Sequence, residues 1–349
     1  MYTREIQEPV DTPVENGLPV QGTWDRAFKE VNLRNIRRPY RFSLLNWTRD
    51  SRIKEWQSFK AQDEKFFFSA RLANVKLFCI AHVHLYDKNT GKSYQYRKII
   101  PGDNWHIPRS LANSSAGSSS PHFFLRVHNW LDADKINLDI NIEAQGEQPA
   151  LTVYLGYNMN RSFVTPMAVS LCFTETRSMY AFKAVAPVWG DIILGGKRFN
   201  MDPAKATGIF CDYKGYYPYR MRLTSAGAMD YTDNNRRFGF HLAENQAKIS
   251  NRNNENALWI NEHLCPLPPV RITMPQGIES DWVIQDVEGM VDLVFSPKVH
   301  KNNMMNSLLI SSEYFAPLGQ FNGMVANSTG EKIQVHNMWG MGENLLLRV

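Results

Sequence analysis

The sequence predicts an all-β protein of antiparallel sandwiches or barrels with few, short helices, and three observations carry that prediction. Ile136, Leu138, Ile140 and Ile142 alternate with Asn137, Asp139, Asn141 and Glu143, the period-two pattern of a half-buried strand. Turn-forming runs recur at short intervals, as in Asp87-Lys88-Asn89-Thr90-Gly91-Lys92. No segment keeps an apolar 3.6-residue period through three turns, so long amphipathic helices are not expected. Many short strands at regular spacing mark a sandwich or barrel.

Taken in order, strands are expected at 66–74, on both sides of the 87–92 turn between Lys76 and Ile100, and at 122–130 and 136–142. Leu151, Val153, Leu155 and Tyr157 repeat the alternation after a turn at Gly146–Pro149. Further strands are expected at 167–174, 178–186, 207–213, 236–243, 257–260, 281–285, 290–295, 308–315, 320–326, 332–337 and 344–348. Ser110 to Pro121 is small and polar and reads as a mobile loop. A break at Val185-Ala186-Pro187-Val188-Trp189-Gly190 divides the strands evenly. The expected organisation is an N-terminal arm over 1–20, one β domain over 21–186 and a second over 187–349.

At 349 residues the chain is too long for one small core and suits two domains or one large β architecture. Aromatic residues at 12% favour β structure and lined cavities. No run of about 18 apolar residues is present, so no transmembrane helix or stable membrane insertion is expected. The N-terminus lacks the apolar core of a signal peptide. Cys79, Cys172, Cys211 and Cys265 are far apart and form no CxxC pair, which argues against zinc and disulfides and suits a reducing cytoplasm. The sequons at Asn46, Asn113 and Asn327 are then chance. The net charge of +5 is mild, and its one concentration, Arg34 to Arg41, belongs to no nucleic-acid motif. No nucleic-acid partner is expected.

The densest motifs lie between Asp212 and Pro297. They are Asp212-Tyr213-Lys214-Gly215-Tyr216-Tyr217-Pro218-Tyr219-Arg220, Asn254-Glu255-Asn256-Ala257-Leu258-Trp259, Leu267-Pro268-Pro269-Val270 and Val291-Asp292-Leu293-Val294-Phe295-Ser296-Pro297. Rings, amides and a few charges between turn formers are the composition of a pocket wall. With Lys54-Glu55-Trp56, Met179-Tyr180-Ala181-Phe182-Lys183, Asp281-Trp282-Val283-Ile284, Leu318-Gly319-Gln320-Phe321-Asn322-Gly323 and Gly340-Met341-Gly342-Glu343, their order resembles the bacterial domain-of-unknown-function family 2804 over nearly the whole chain. That family usually carries one or two tryptophans after the Pro-Tyr element, where this chain has Arg220-Met221-Arg222-Leu223-Thr224; its pocket should be more polar or reshaped there. More distantly, the family is similar to calycin-type proteins of two lipocalin-like barrels, among them carotenoid hydratases and fungal cyclase-like pericyclases. The resemblance implies two such barrels, a pocket between them and no settled activity.

Asp212, Glu255 and Glu343 are the acids to watch. A carboxylic acid in an aromatic cavity is held protonated by desolvation and can protonate an alkene or carbonyl. Tyr213, Tyr216, Tyr217 and Tyr219 could then support a developing charge. The structural alternative is a strand end, a turn cap and rim packing. Lys183, Lys214 and Arg220 could hold an anionic ligand end, or extend along a rim with their charges in water. His82 and His84 share one side of a strand, but further metal ligands with suitable spacing are missing. No Gly-x-Ser-x-Gly, no catalytic cysteine signature and no phosphate loop occurs; Gly195-Gly196-Lys197-Arg198 reads as a hairpin turn. No metal or organic cofactor is expected.

Asp212 and Glu255 are therefore the candidate catalytic residues. Lys183, Trp189, Tyr213, Tyr217, Tyr219, Arg220, Asn256 and Trp259 are the candidate ligand-binding residues at the junction of the halves. The expected function is binding of a lipophilic small molecule there. The alternatives are a cofactor-independent hydratase, isomerase or cyclase using a buried acid, and a protein-interaction module that would show an exposed apolar patch instead of a cavity.

Overall fold

Two curled antiparallel sheets, each a half-barrel of the lipocalin kind, are packed against one another in a computed structural model that describes residues 2–40, 50–231, 235–248, 253–299, 302–306 and 311–348. Asn46, Arg41 and the first residues of the strand expected at 308–315 lie outside the described residues. Short 3-10 segments stand at Leu33–Asn35 and Leu131–Ala133. None is long and apolar enough to cross a membrane.

The first sheet has 13 strands. Its main path runs Ser93–Pro101, Phe78–Asp87, Phe66–Asn74, Lys54–Gln62, Thr207–Gly215, Arg177–Leu194, Leu151–Asn158, Lys135–Ile142, Phe123–Trp130 and Ser114–Ser120. The second has 11, with the path His263–Pro266, Ala257–Ile260, Arg237–Glu244, Arg220–Tyr231, Lys332–Arg348, Leu318–Ala326, Val291–Val299, Trp282–Asp286 and Val270–Thr273. Its far edge curls back to Arg237–Glu244, where the Glu244 carboxylate accepts the Ile272 backbone N–H at 2.9 Å.

Three apolar cores result. One fills the first half-barrel around Phe59, Phe68, Tyr157 and Phe210, and one fills the second around Phe240, Trp282, Phe295 and Phe321. The third, with Trp56, Phe67, Met179, Tyr213, Trp259 and Met341, lies between the sheets. The first-sheet strands Lys54–Gln62, Phe66–Asn74 and Thr207–Gly215, which face this middle core, are buried almost throughout on both sides. That is why Phe66-Phe67-Phe68 is a consecutive aromatic run: Phe66 and Phe68 enter the first core, Phe67 the middle one.

Lys54–Gln62 and Arg220–Tyr231 are strands outside the expected spans, and three further differences bear on the architecture. Ser114–Ser120, within the expected loop, is a strand paired with Phe123–Trp130. Its small residues serve close approach, since a Cβ on Gly117 would stand 2.4 Å from the Leu125 carbonyl oxygen. The strands expected at 332–337 and 344–348 are one continuous strand, Lys332–Arg348. The Val185–Gly190 break lies inside the 18-residue strand Arg177–Leu194. There Met179–Pro187 pair with Thr207–Gly215, and Val188–Leu194 pair with Leu151–Tyr157. Gly190, at φ +129°, allows that change of partner, because a Cβ would lie 1.9 Å from the Tyr154 carbonyl oxygen. The passage from one sheet to the other falls between Gly215 and Arg220.

Candidate functional site

Four neighbouring strands of the first sheet present one wall of a cleft. Their register lines up Ser58, Arg71, His82 and Arg97 across the sheet, and beside them Trp56, Ala73, Ile80 and Ile99. Residues two apart share a face, so both rows look away from the first core. The second sheet supplies the opposite wall with Met221, Tyr314, Leu345 and Leu347. The enclosed space is about 80 Å³, and about 790 Å³ with its open mouth included. A recess of about 20 Å³ adjoins it at Tyr217, Pro218 and Tyr219, sharing Lys54, Met221 and Leu347. Another of about 10 Å³ reaches Tyr213, Ser225 and Glu343, sharing Trp56, Arg71 and Tyr314.

The polar groups stand at the inner end. The Arg71 guanidinium lies over the rings of Trp56 (5.1 Å) and Tyr314 (4.8 Å) and 3.6 Å from the Glu343 carboxylate. Its buried Nε donates to no acceptor. Glu343 also receives the Lys60 ammonium at 3.0 Å and the Tyr314 hydroxyl at 2.5 Å. Burial works against the Glu343 charge, but Lys60, Arg71 and Tyr314 overrule it and hold the carboxyl pKa at about 2. At the other end Lys54 donates to the carbonyls of Ser51 (3.2 Å) and Val75 (3.0 Å). Burial, reinforced by Lys76 and Arg52, lowers its pKa to about 7. The main cleft is thus lined by Lys54, Arg71, His82 and Arg97, and among the described residues no carboxylate joins them there.

A second polar group ties the sheets together nearby. Lys183, on the junction face of its strand, donates to Glu255 Oε2 at 2.7 Å, to the Glu255 carbonyl at 2.9 Å, and contacts His241 Nδ1 at 2.9 Å. Tyr213 donates to the same Oε2 at 2.9 Å, and Asn245 donates to Oε1 at 2.6 Å. Burial and the adjacent Lys183 and Lys60 hold His241 well below the usual histidine range, so it accepts from the ammonium as a neutral ring. Burial also lowers the pKa of Lys183, against the pull of Glu255. Each oxygen of Glu255 has donors, and its side chain has no exposure.

Asp212 sits on the other face of the sheet. It pairs with Lys214 and accepts from Gln57 Nε2 at 3.1 Å inside the first core. Burial pushes its pKa up against the effect of Lys214. Asn256 holds a turn, accepting from the Ala243 N–H at 2.6 Å and donating to the Pro268 carbonyl at 2.9 Å. Trp259 is buried in the middle core, its Nε1 donating to the Thr165 carbonyl at 3.0 Å. Trp189 packs over Gly156 with 44% of its surface exposed, and Arg220 is exposed beside Arg348. Tyr213, Tyr217 and Tyr219 therefore reach the cleft system, Lys183 and Glu255 stand in the junction beside it, and Asp212, Trp189, Arg220 and Asn256 lie elsewhere.

Sequence reasoning passed over Lys60, Arg71, Arg97 and Tyr314. A signal was present in Lys54–Gln62, where Lys54, Trp56, Ser58 and Lys60 alternate with Phe59 and Ala61: basic and aromatic side chains share one face of a strand that is buried throughout. His84 contacts the Ser93 hydroxyl at 2.8 Å, while His82 lines the cleft. Among the described residues no group of three or more His, Cys, Asp or Glu is placed to hold a metal.

No curated protein sequence matches the chain. Among solved structures, that of CghA with Sch210972 is similar at a TM-score of 0.57 and 11% identity, covering 85% of this chain and 89% of the other. CghA without that compound matches at the same TM-score, 0.57. Kievitone hydratase from Nectria haematococca is matched at a TM-score of 0.48 and 12% identity, over 84% of this chain and 88% of that one. At 11% identity the likeness to CghA is one of fold, and it agrees with the half-barrels described above. A family model matches residues 3–348, and the chain belongs to the domain of unknown function family DUF2804.

Proposed function

We propose that the protein binds a lipophilic small molecule in the cleft between its two sheets. The observation carrying this reading is the cleft's construction: apolar and aromatic walls from both sheets, a polar inner end and an open mouth. Its enclosed part is narrow, which suits a slender chain or a flat ring inserted edge-on. CghA, similar in fold, was solved with a small molecule bound, in keeping with such a role.

The buried-acid alternative has less support. Glu255 is occupied by Lys183, Tyr213 and Asn245, and Asp212 by Lys214 and Gln57 in a different core. Glu343 borders the cleft system but is held as a carboxylate. None of the three offers a proton to a substrate in the cleft.

Native mass spectrometry of freshly purified protein, followed by solvent extraction, tests the reading. A retained apolar compound that Leu347→Trp no longer retains is the expected result. Equal retention by the two proteins would place the ligand elsewhere.

A further inference from the structure

We propose that the ligand is an amphipathic organic anion, its carboxylate or enolate head held on the row Arg71–His82–Arg97 and its apolar body lying along Trp56, Ile80 and Phe78; this rests on the cleft being the binding site. The row is a consequence of register. Arg71 is directly opposite His82, and His82 directly opposite Arg97, on three adjacent strands. Neighbouring strands are about 4.8 Å apart, so the three side chains span roughly 10 Å on one face, and a flat anion can meet two of them together. The next row on the same face, Trp56–Ala73–Ile80–Ile99, is wholly apolar. Phe78 extends the apolar lining of the cleft. Between these two rows, about 7 Å along the strands, the wall passes from polar to apolar, as an amphipathic molecule does; Lys54 follows beyond Trp56, its ammonium held by the carbonyls of Ser51 and Val75.

Charge and hydrogen bonding agree with that orientation. Glu343 neutralises part of the positive charge at the inner end, and Lys60 and Arg71 together exceed it by one. Arg71 lies over the rings of both Trp56 and Tyr314, and its buried Nε is a donor without an acceptor among the described residues. An anion's oxygen satisfies that donor, whereas a cationic head would meet repulsion and a neutral hydroxyl would supply a weaker acceptor.

The test uses the full chain and three probes with equal tails: decanoate, decanol and decyltrimethylammonium, titrated calorimetrically at low and high salt. Decanoate should bind at least roughly tenfold tighter than decanol, with the advantage shrinking as salt rises. Arg71→Gln and, separately, Arg97→Gln should each reduce the ratio of decanoate to decanol affinity. The second variant lies on the edge strand and guards against a folding defect in the first. Equal binding of decanoate and decanol overturns the head-group assignment and leaves the lipophilic cleft standing. Preference for the ammonium compound overturns it as well. If none of the three binds, the cleft itself is not a lipophilic site, and the proposed function fails with it.

Discussion

Asp212 and Tyr213, consecutive residues of one strand, belong to two different chemical environments. The Asp212 carboxylate pairs with Lys214 inside the first half-barrel, while the Tyr213 hydroxyl donates to Glu255 between the sheets. Strand alternation separates them by the thickness of a sheet. The strand is buried along its whole length because both of its faces are interior. Two candidate acids that lie together in the motif-rich half of the sequence are thus kept apart. Glu255 serves the contact between the sheets and Asp212 serves one barrel.

Lys183 and Glu255 form a buried pair that spans the two sheets, so removing one partner strands the other. Lys183→Met should lower unfolding stability by about 3–5 kcal/mol in urea titration, and Lys183→Met combined with Glu255→Leu should recover much of that loss. A single variant as stable as the parent would contradict the pair's role.

Glu343 titrates at about 2 in the folded chain and near 4.5 when unfolded. A carboxyl with a depressed folded pKa stabilises above the unfolded value, and the contribution disappears as pH falls through the folded one. Melting temperature should therefore drop between about pH 4.5 and pH 2, and Glu343→Gln should flatten that part of the curve. Parallel curves for the two proteins would refute the assignment.

Lys54 has the opposite sign. Its pKa is near 7 when folded and 10.5 otherwise, so its charge is carried at a disadvantage below pH 7. As pH rises from about 7 to about 10.5 the folded state gives up this proton before the unfolded state does, and stability rises. Measured between about pH 6 and 9, the parent should gain on Lys54→Met. No relative gain would mean that the ammonium remains charged in place.

Ala73 is the smallest side chain in the apolar row of the cleft. Ala73→Phe should fill the enclosed space and weaken binding of an apolar fluorescent dye by about tenfold, with a modest loss of stability from overpacking. Unchanged dye affinity would locate the dye outside the cleft.

The fold was largely legible because alternation survives wherever one face is polar, as in Lys135–Ile142 with Ile136, Leu138, Ile140 and Ile142 inward. Lys54–Gln62 and Arg220–Tyr231 escaped because both of their faces are largely interior and the junction face admits Lys60, Ser58 and Ser225, which erases the expected contrast. The same cause hid the site. Cleft residues such as Arg71 and Tyr314 come from strands more than two hundred positions apart, and only the packing of one sheet on the other brings them together. The aromatic motif at 213–219 was readable as a wall. The direction each ring takes was set by strand alternation and by the passage between sheets after Gly215.

Lys332–Arg348 carries Leu345 and Leu347 over the cleft and pairs with Arg220–Ala228, more than a hundred positions upstream. During synthesis the first sheet can close once Thr207–Gly215 has emerged, but the apolar surface around Trp56 and Phe78 then waits uncovered until this strand arrives. Until then the unfinished chain exposes that surface to solvent, and pairing across so long a sequence separation is slow to form.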